Sequence, residues 1–395
     1  MFEEILKQRE SLYGEGDGSE GSIENLPGKT KEFDNTKILN LIQNKKKAYK
    51  LVKFMTQIEV KEQPLQNADD SEMDYADYTD YLDSKASRMA SCMNWWEADV
   101  YERNIAIHLK RTFRCKSKFC PNCKTVEVAK NISKVAGIVK ELEQKHKAYL
   151  MTLTAPNVSR EEYADMVDKL CKKFKNLITL FSFSINSKYA YKGRKYTIVG
   201  AIRSIETTYN KYEQTYHPHI HAMVFITTQN FEQFEKIHKG EYNRKTRKYN
   251  MISDADIELR QIWTRLYNDV DRRQKDVDLD GYMCDIRPIE DFKGILEVLK
   301  YSFKTRDIDS YEVFSTLYHG TYRRRMKQGY GCLYNLKLED DGKETDTPEA
   351  LFEEIPEPAK LNLRYLVEAY NGYTKFTNFQ TLNDIVEYIK PQLED

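Results

Sequence analysis

The run YHPHIHAMVFI at Tyr216–Ile226 limits what this chain can fold into more than any other stretch. His217, His219 and His221 alternate with apolar residues, although only seven histidines serve all 395 residues. In a β-strand, side chains two apart share a face. His219 and His221 can therefore close on one cation while Ile220, Ala222 and Val224 enter a core behind them. Pro218 has no N–H to give a ladder, which predicts pairing from about His219 onward and leaves His217 at the lip. Neutral imidazoles suit borderline divalent metals, and an added carboxylate favours Mn²⁺ or Mg²⁺ over a closed zinc site. Glu206, in GAIRSIETTYN, is the upstream carboxylate that an antiparallel neighbour strand would bring alongside.

A second cluster of ligand chemistry lies earlier, at Cys92, Cys115, Cys120 and Cys123, the last two in CPNC. A C-x₂-C knuckle lets two thiolates converge on one ion, and two more cysteines complete a tetrahedral structural Zn²⁺ site. Cys92 stands well apart from the other three, so His108 competes for the fourth position. Arg111, Arg114, Lys116 and Lys118 flank the knuckle, which allows a DNA contact beside a folding role. Seven cysteines in a chain this long do not make a disulfide scaffold; Cys171, Cys284 and Cys332 read as small core residues.

Charge is balanced, 62 basic against 62 acidic residues, so net charge selects no partner. Its distribution is more informative. Asp69, Asp70, Glu72, Asp74, Asp77, Asp80 and Asp83 crowd residues 61–85, whereas residues 103–118 are basic, a segregation suited to a polyanion-binding centre with acidic flanks. The sequence contains no run of 18 apolar residues and the N-terminus does not read as a signal peptide, so a cytoplasmic protein without membrane contact is expected.

The pattern predicts a flexible acidic extension over residues 1–88, a zinc module with its connecting helix over 89–147, a domain built around the histidine strand over 148–337, and an acidic linker with a small C-terminal segment over 338–395. Helical spacing is expected over 36–58, 124–146, 160–182 and 255–268, and strands over 149–156, 195–208, 219–227 and 281–287. Together these give an α+β class: a central antiparallel sheet with helices packed on one face.

The third cluster is DFKGILEVLKYSFKTRD at 291–307. Phe292, Ile295, Leu296, Leu299 and Phe303 form an apolar stripe at helical spacing, and Glu297, Tyr301 and Lys304 lie off it. Glu297 and Tyr301, four apart, sit one turn from each other. Arg323, Arg324, Arg325 and Lys327, in YHGTYRRRMKQGYG with Tyr322 and Tyr330, offer charge and stacking rings for single-stranded DNA.

With CPNC preceded by Cys115, then YLMTLTAPN, IETT, YHPHIHAMV and EVLKYSFK in that order, residues 90–335 resemble the rolling-circle replication initiators (Rep) of the HUH endonuclease superfamily, of the single-tyrosine type found on Gram-positive plasmids. The resemblance implies a ferredoxin- or RRM-like palm, with His219 and His221 on the catalytic divalent metal. It implies Tyr301 as nucleophile, making a 5′-phosphotyrosine and a free 3′-OH, and Glu297 as activator of water at termination. Lys304 and Lys300 would add positive charge near the phenolate. No G-x-x-x-x-G-K-[ST] loop is present, so a host helicase is the implied source of unwinding. A transposase or relaxase of the same superfamily shares this chemistry. A histidine-triad hydrolase explains neither CPNC nor Tyr301, and a non-catalytic zinc-dependent origin-binding protein would form no covalent adduct.

Overall fold

The computed structural model describes residues 36–62, 84–93, 96–101, 106–182, 196–243, 247–270, 278–279, 282–290, 292–299, 303, 307–338, 352–354, 362–364 and 375–379. Its helices are α1 (Thr36–Glu62), α2 (Lys85–Ser91), α3 (Pro121–Leu142), α4 (Tyr163–Ser182), α5 (Asp254–Tyr267), α6 (Phe292–Leu299) and α7 (Tyr311–Thr321). The strands are β1 (Trp96–Tyr101), β2 (Ala106–Phe113), β3 (Lys147–Leu153), β4 (Thr197–Asn210), β5 (Thr215–Thr227) and β6 (His238–Asn243). They continue as β7 (Lys248–Ile252), β8 (Cys284–Pro288), β9 (Lys327–Gly331), β10 (Phe352–Glu354), β11 (Asn362–Arg364) and β12 (Lys375–Phe379). Among the described residues no helix is long and apolar enough to cross a membrane.

Two compact units result, one built on Lys134–Gly342 and the other on Leu6–Ser133 together with Lys343–Asp395. In the second, Ala48, Leu51, Met55 and Ile58 recur every three or four residues along α1 and are buried, and Glu59 accepts a hydrogen bond from the Ala86 N–H at the start of α2. A sheet follows the order β10-β2-β1-β12, with β11 also pairing β2, so strands from the C-terminal part complete the β1–β2 pair.

The first unit holds a five-stranded antiparallel sheet in the order β8-β3-β5-β4-β9. Its residues explain its layers. On β5, Tyr216, Ile220, Ala222 and Val224 point to one face, and α4 lies there: Tyr163 packs its ring on Tyr216 at 5.2 Å and shares a 2.9 Å hydrogen bond with Thr207. The α4 stripe of Tyr163, Met166, Val167, Leu170, Phe174, Leu177, Ile178 and Phe181 is buried at helical spacing. Each such side chain contributes about 1.5–3 kcal/mol on burial. Arg203 is fully buried beneath α4 and donates to the Arg325 carbonyl at 2.8 Å, joining β4 to the approach of β9. Helix α5 begins with a capping box between Ser253 and Asp256, whose carboxylate also accepts from the Ile286 N–H at 2.7 Å and so ties the helix start to β8. Helix α6 packs across β3, β4 and β5 through a stripe in which Ile295, Val298 and Leu299 are buried.

Cys332, expected in the core, is exposed; it follows β9 at the turn where its N–H bonds the Val199 carbonyl.

Candidate metal centres

Three ligand side chains meet on the face of β5 opposite α4. The antiparallel register sets Glu206 directly across from His219, and Ser204 across from His221. The carboxylate Oε2 lies 3.4 Å from His221 Nε2 and 3.8 Å from His219 Nε2. Leu150, Met223 and Phe225 continue this face and are buried, so the group opens at the end of a dry layer.

The ring orientations are held from behind. His219 Nδ1 lies 3.1 Å from the His217 carbonyl, which can only accept, so that nitrogen carries the proton and Nε2 keeps its lone pair. His221 Nδ1 pairs with Thr152 Oγ1 at 3.1 Å, from the facing residue of β3. This is the outer-shell arrangement that fixes metal-binding histidines. Burial, with repulsion from His221 second, pulls the His219 pKa to about 4, and burial also lowers that of His217. A neutral His219 thus turns a lone pair toward the Glu206 carboxylate. Neighbouring ligands about 2.1 Å from an octahedral divalent ion sit about 3.0 Å apart, a contraction of under an ångström from the spacings here. The donor set fits a first-row divalent ion with open coordination positions.

Pairing starts earlier than the proline suggested. β5 runs from Thr215, with His217 opposite Thr208 and Pro218 opposite Thr207. Tyr216 exchanges both backbone hydrogen bonds with Val158, so Pro218, two residues on, turns its missing donor to that same side. There β3 has already ended, its last pair being Leu153 with Ile220. The proline costs the ladder nothing, and His217 lies within the strand instead of at its lip.

The second group is Cys92, Cys115, Cys120 and Cys123. Cys92 caps α2, Cys115 follows β2, and Cys120 and Cys123 bracket the first turn of α3. Their sulfurs stand 3.4 Å (Cys92 to Cys123), 3.6 Å (Cys115 to Cys123) and 3.6 Å (Cys120 to Cys92) apart. A zinc tetrahedron with Zn–S bonds of about 2.3 Å has edges of about 3.8 Å, so the four thiols fit it with little movement. Hydrogen bonds from Cys115, Cys123 and Cys92 pull the Cys120 thiol well below its usual range, while burial pushes Cys115 up. Cys92 supplies the fourth sulfur for which His108 competed on sequence alone.

The remaining expected residues are placed as follows. Glu297 is half-buried on α6, while Lys300, Tyr301 and Lys304 lie outside the described residues, as do the side chains of His108 and Arg111. Phe303, in the same segment, is described: its backbone bridges Thr207, the neighbour of Glu206. Arg324 grips Asp168 through two hydrogen bonds of 2.7 and 2.6 Å. Lys327, Tyr330 and Arg114 are buried, which leaves Arg323, Arg325 and Tyr322 exposed. Residues missed by the sequence reading are Thr152, which holds His221, and the basic, tyrosine-bearing run 238–252; six basic residues against one acidic within residues 236–250 were the available signal.

The sequence model of a family described as replication protein matches residues 106–373. A protein rep of Streptococcus pneumoniae is 28% identical over 240 residues, covering 58% of this chain and 63% of that protein. A protein rep of a Bacillus species is 23% identical over 227 residues, covering 57% of this chain and 67% of its own. Over a shorter stretch of 122 residues, a Staphylococcus aureus protein rep is 31% identical, 30% of this chain and 47% of that one. No solved structure matches.

Proposed function

The chain belongs to the replication protein family, and on that premise we propose that it initiates rolling-circle plasmid replication by nicking one strand of origin DNA with Tyr301. The observation that supports this most is the Thr207–Phe303 bridge. It ties the segment after α6 to the strand of Glu206, and two residues of chain span at most about 7 Å. Tyr301 stands two residues before that bridge in the sequence, which supports reading it as the nucleophile that serves the carboxylate–imidazole group.

Glu206, His219 and His221 would hold the divalent ion, Mn²⁺ or Mg²⁺, and the four cysteines a structural Zn²⁺. Bound at the first group, the ion polarises the scissile phosphate and stabilises its developing charge. A free phenol, with a pKa of about 10, is a weak nucleophile at neutral pH, and Lys300 and Lys304 favour its phenolate form. The Tyr301 oxygen forms the new bond to phosphorus, the bond from phosphorus to the 3′ oxygen breaks, and the proton given up by the phenol is balanced by one taken up on the 3′-OH. The phosphotyrosine conserves the phosphodiester energy, so later joining needs no ATP. A second cleavage by the same chain needs another nucleophile. Glu297, four residues before Tyr301 in the sequence, deprotonates water for it. The single strand would come from an extruded origin hairpin and unwinding from a host helicase.

The test is a denaturing gel with labelled single-stranded oligonucleotide spanning the origin hairpin, with and without Mn²⁺. A metal-dependent covalent band, absent in Tyr301→Phe and in His219→Ala/His221→Ala, is expected. A band that survives Tyr301→Phe moves the nucleophile elsewhere, and binding without any adduct on a verified origin makes the chain a non-catalytic DNA-binding protein.

A further inference from the structure

Beyond the sheet, β6 and β7 form a two-stranded ribbon that pairs with no other strand among the described residues. Its root is pinned: Lys236 bonds Asp256 at 2.5 Å and Asp285 at 2.9 Å, and His238 pairs with Asp254 at 2.8 Å. Past that root both faces are solvent-exposed. A lone hairpin is marginal in water, so one that spends large apolar groups on solvent calls for a partner.

The side chains on one face specify its chemistry. A register shift between Lys239 and Tyr242 brings Lys239, opposite Met251, onto the same face as the Tyr242–Tyr249 pair. Gly240 sits in that bulge, where a Cβ would meet the Asn250 carbonyl oxygen at 3.0 Å. The two tyrosine rings meet edge-on at 5.1 Å and are about half exposed, 51% and 53%, with Met251 at 44%. Lys239 Nζ hangs 5.7 Å over the Tyr249 ring. Arg247 and Lys248, at the far end, are exposed and have no acidic partner among the described residues, while Glu241 is taken by Arg260 at 3.7 Å. Aromatic faces with unneutralised cations beside them are what unpaired bases and their phosphates require.

We infer that the β6–β7 ribbon is a binding platform for single-stranded DNA, with bases stacking on Tyr242 and Tyr249 and phosphates meeting Lys239, Arg247 and Lys248. This rests on the reading of the chain as one that acts on DNA and adds to it a contact outside the nicking centre.

Fluorescence anisotropy of the full chain with labelled oligothymidylate, which carries no origin sequence, tests the ribbon apart from nicking. Tyr242→Ala/Tyr249→Ala should weaken binding by about tenfold or more. Lys239→Gln/Arg247→Gln/Lys248→Gln should lower the slope of log affinity against log salt by about 2, at roughly 0.7 per phosphate. Unchanged affinity and slope in both variants overturn the inference, as does a loss confined to duplex of the same length, which would make the ribbon a groove reader. The origin adduct, followed in parallel at saturating DNA, separates the two readings. Adduct formation with ribbon-independent binding sinks only the platform, whereas ribbon-dependent binding without adduct sinks only the nicking reaction.

Discussion

His219 illustrates how the surroundings of an imidazole set its protonation. Its ring is held by the His217 carbonyl and is largely buried, so the folded chain refuses a proton until about pH 4, whereas an unfolded chain takes one up near pH 6.5. The folded pKa is the lower of the two. Stability is therefore fully present above pH 6.5 and is lost as pH falls toward 4, by about 1.4 kcal/mol per unit. Urea unfolding of metal-free protein between pH 6.5 and 5 should show this decline, and His219→Gln should lose about one proton's worth of it; equal slopes would show that the ring is not the source. Alternation along a single strand made His219 and His221 legible in the sequence, and the neighbouring strand made Glu206 so. Thr152 was not, because it meets His221 from a strand 69 residues earlier and nothing local marks a threonine as a ring holder.

Among helices with an apolar stripe, α4, expected over 160–182, spans Tyr163–Ser182, whereas Phe303, expected on the helical stripe of 291–307, lies past α6 and bridges Thr207 on β4. Strands without such a stripe were missed. β9 reads KQGYG and the ribbon strand β6 reads HKGEYN, and neither offers the period of two that a half-buried strand shows. How α7 closes on α4 was equally invisible, since it depends on Gly320. A Cβ there would fall 2.2 Å from the Tyr163 ring, which is itself buried and bonded to Thr207. Gly320→Ala should therefore cost about 1–3 kcal/mol of overpacking. Chemical denaturation measures it directly, and an unshifted midpoint would mean that the two helices part without penalty.

On the scale of the whole chain, the two candidate metal groups fall in different units, four cysteines in one and two histidines with a glutamate in the other. Heating with and without a strong zinc chelator should therefore abolish or lower one calorimetric transition and leave a second in place, because a structural zinc contributes folding energy to its own unit. A single transition displaced as a whole would refute separate stabilities. Composition had set residues 338–395 apart as a tail, yet β10, β11 and β12 pair with β1 and β2, a link between distant parts of the chain that no local pattern carries. That sheet also imposes an order of events at the ribosome. Everything needed for the carboxylate–imidazole group has been translated by Gly342, while β1 and β2 still wait for the 53 residues of 343–395, several seconds away at about 5–20 residues per second. During that interval a nascent chain holds one finished sheet and one with open edges, and a ribosome that stops early releases a protein in which the carboxylate–imidazole group is assembled and its companion unit is not.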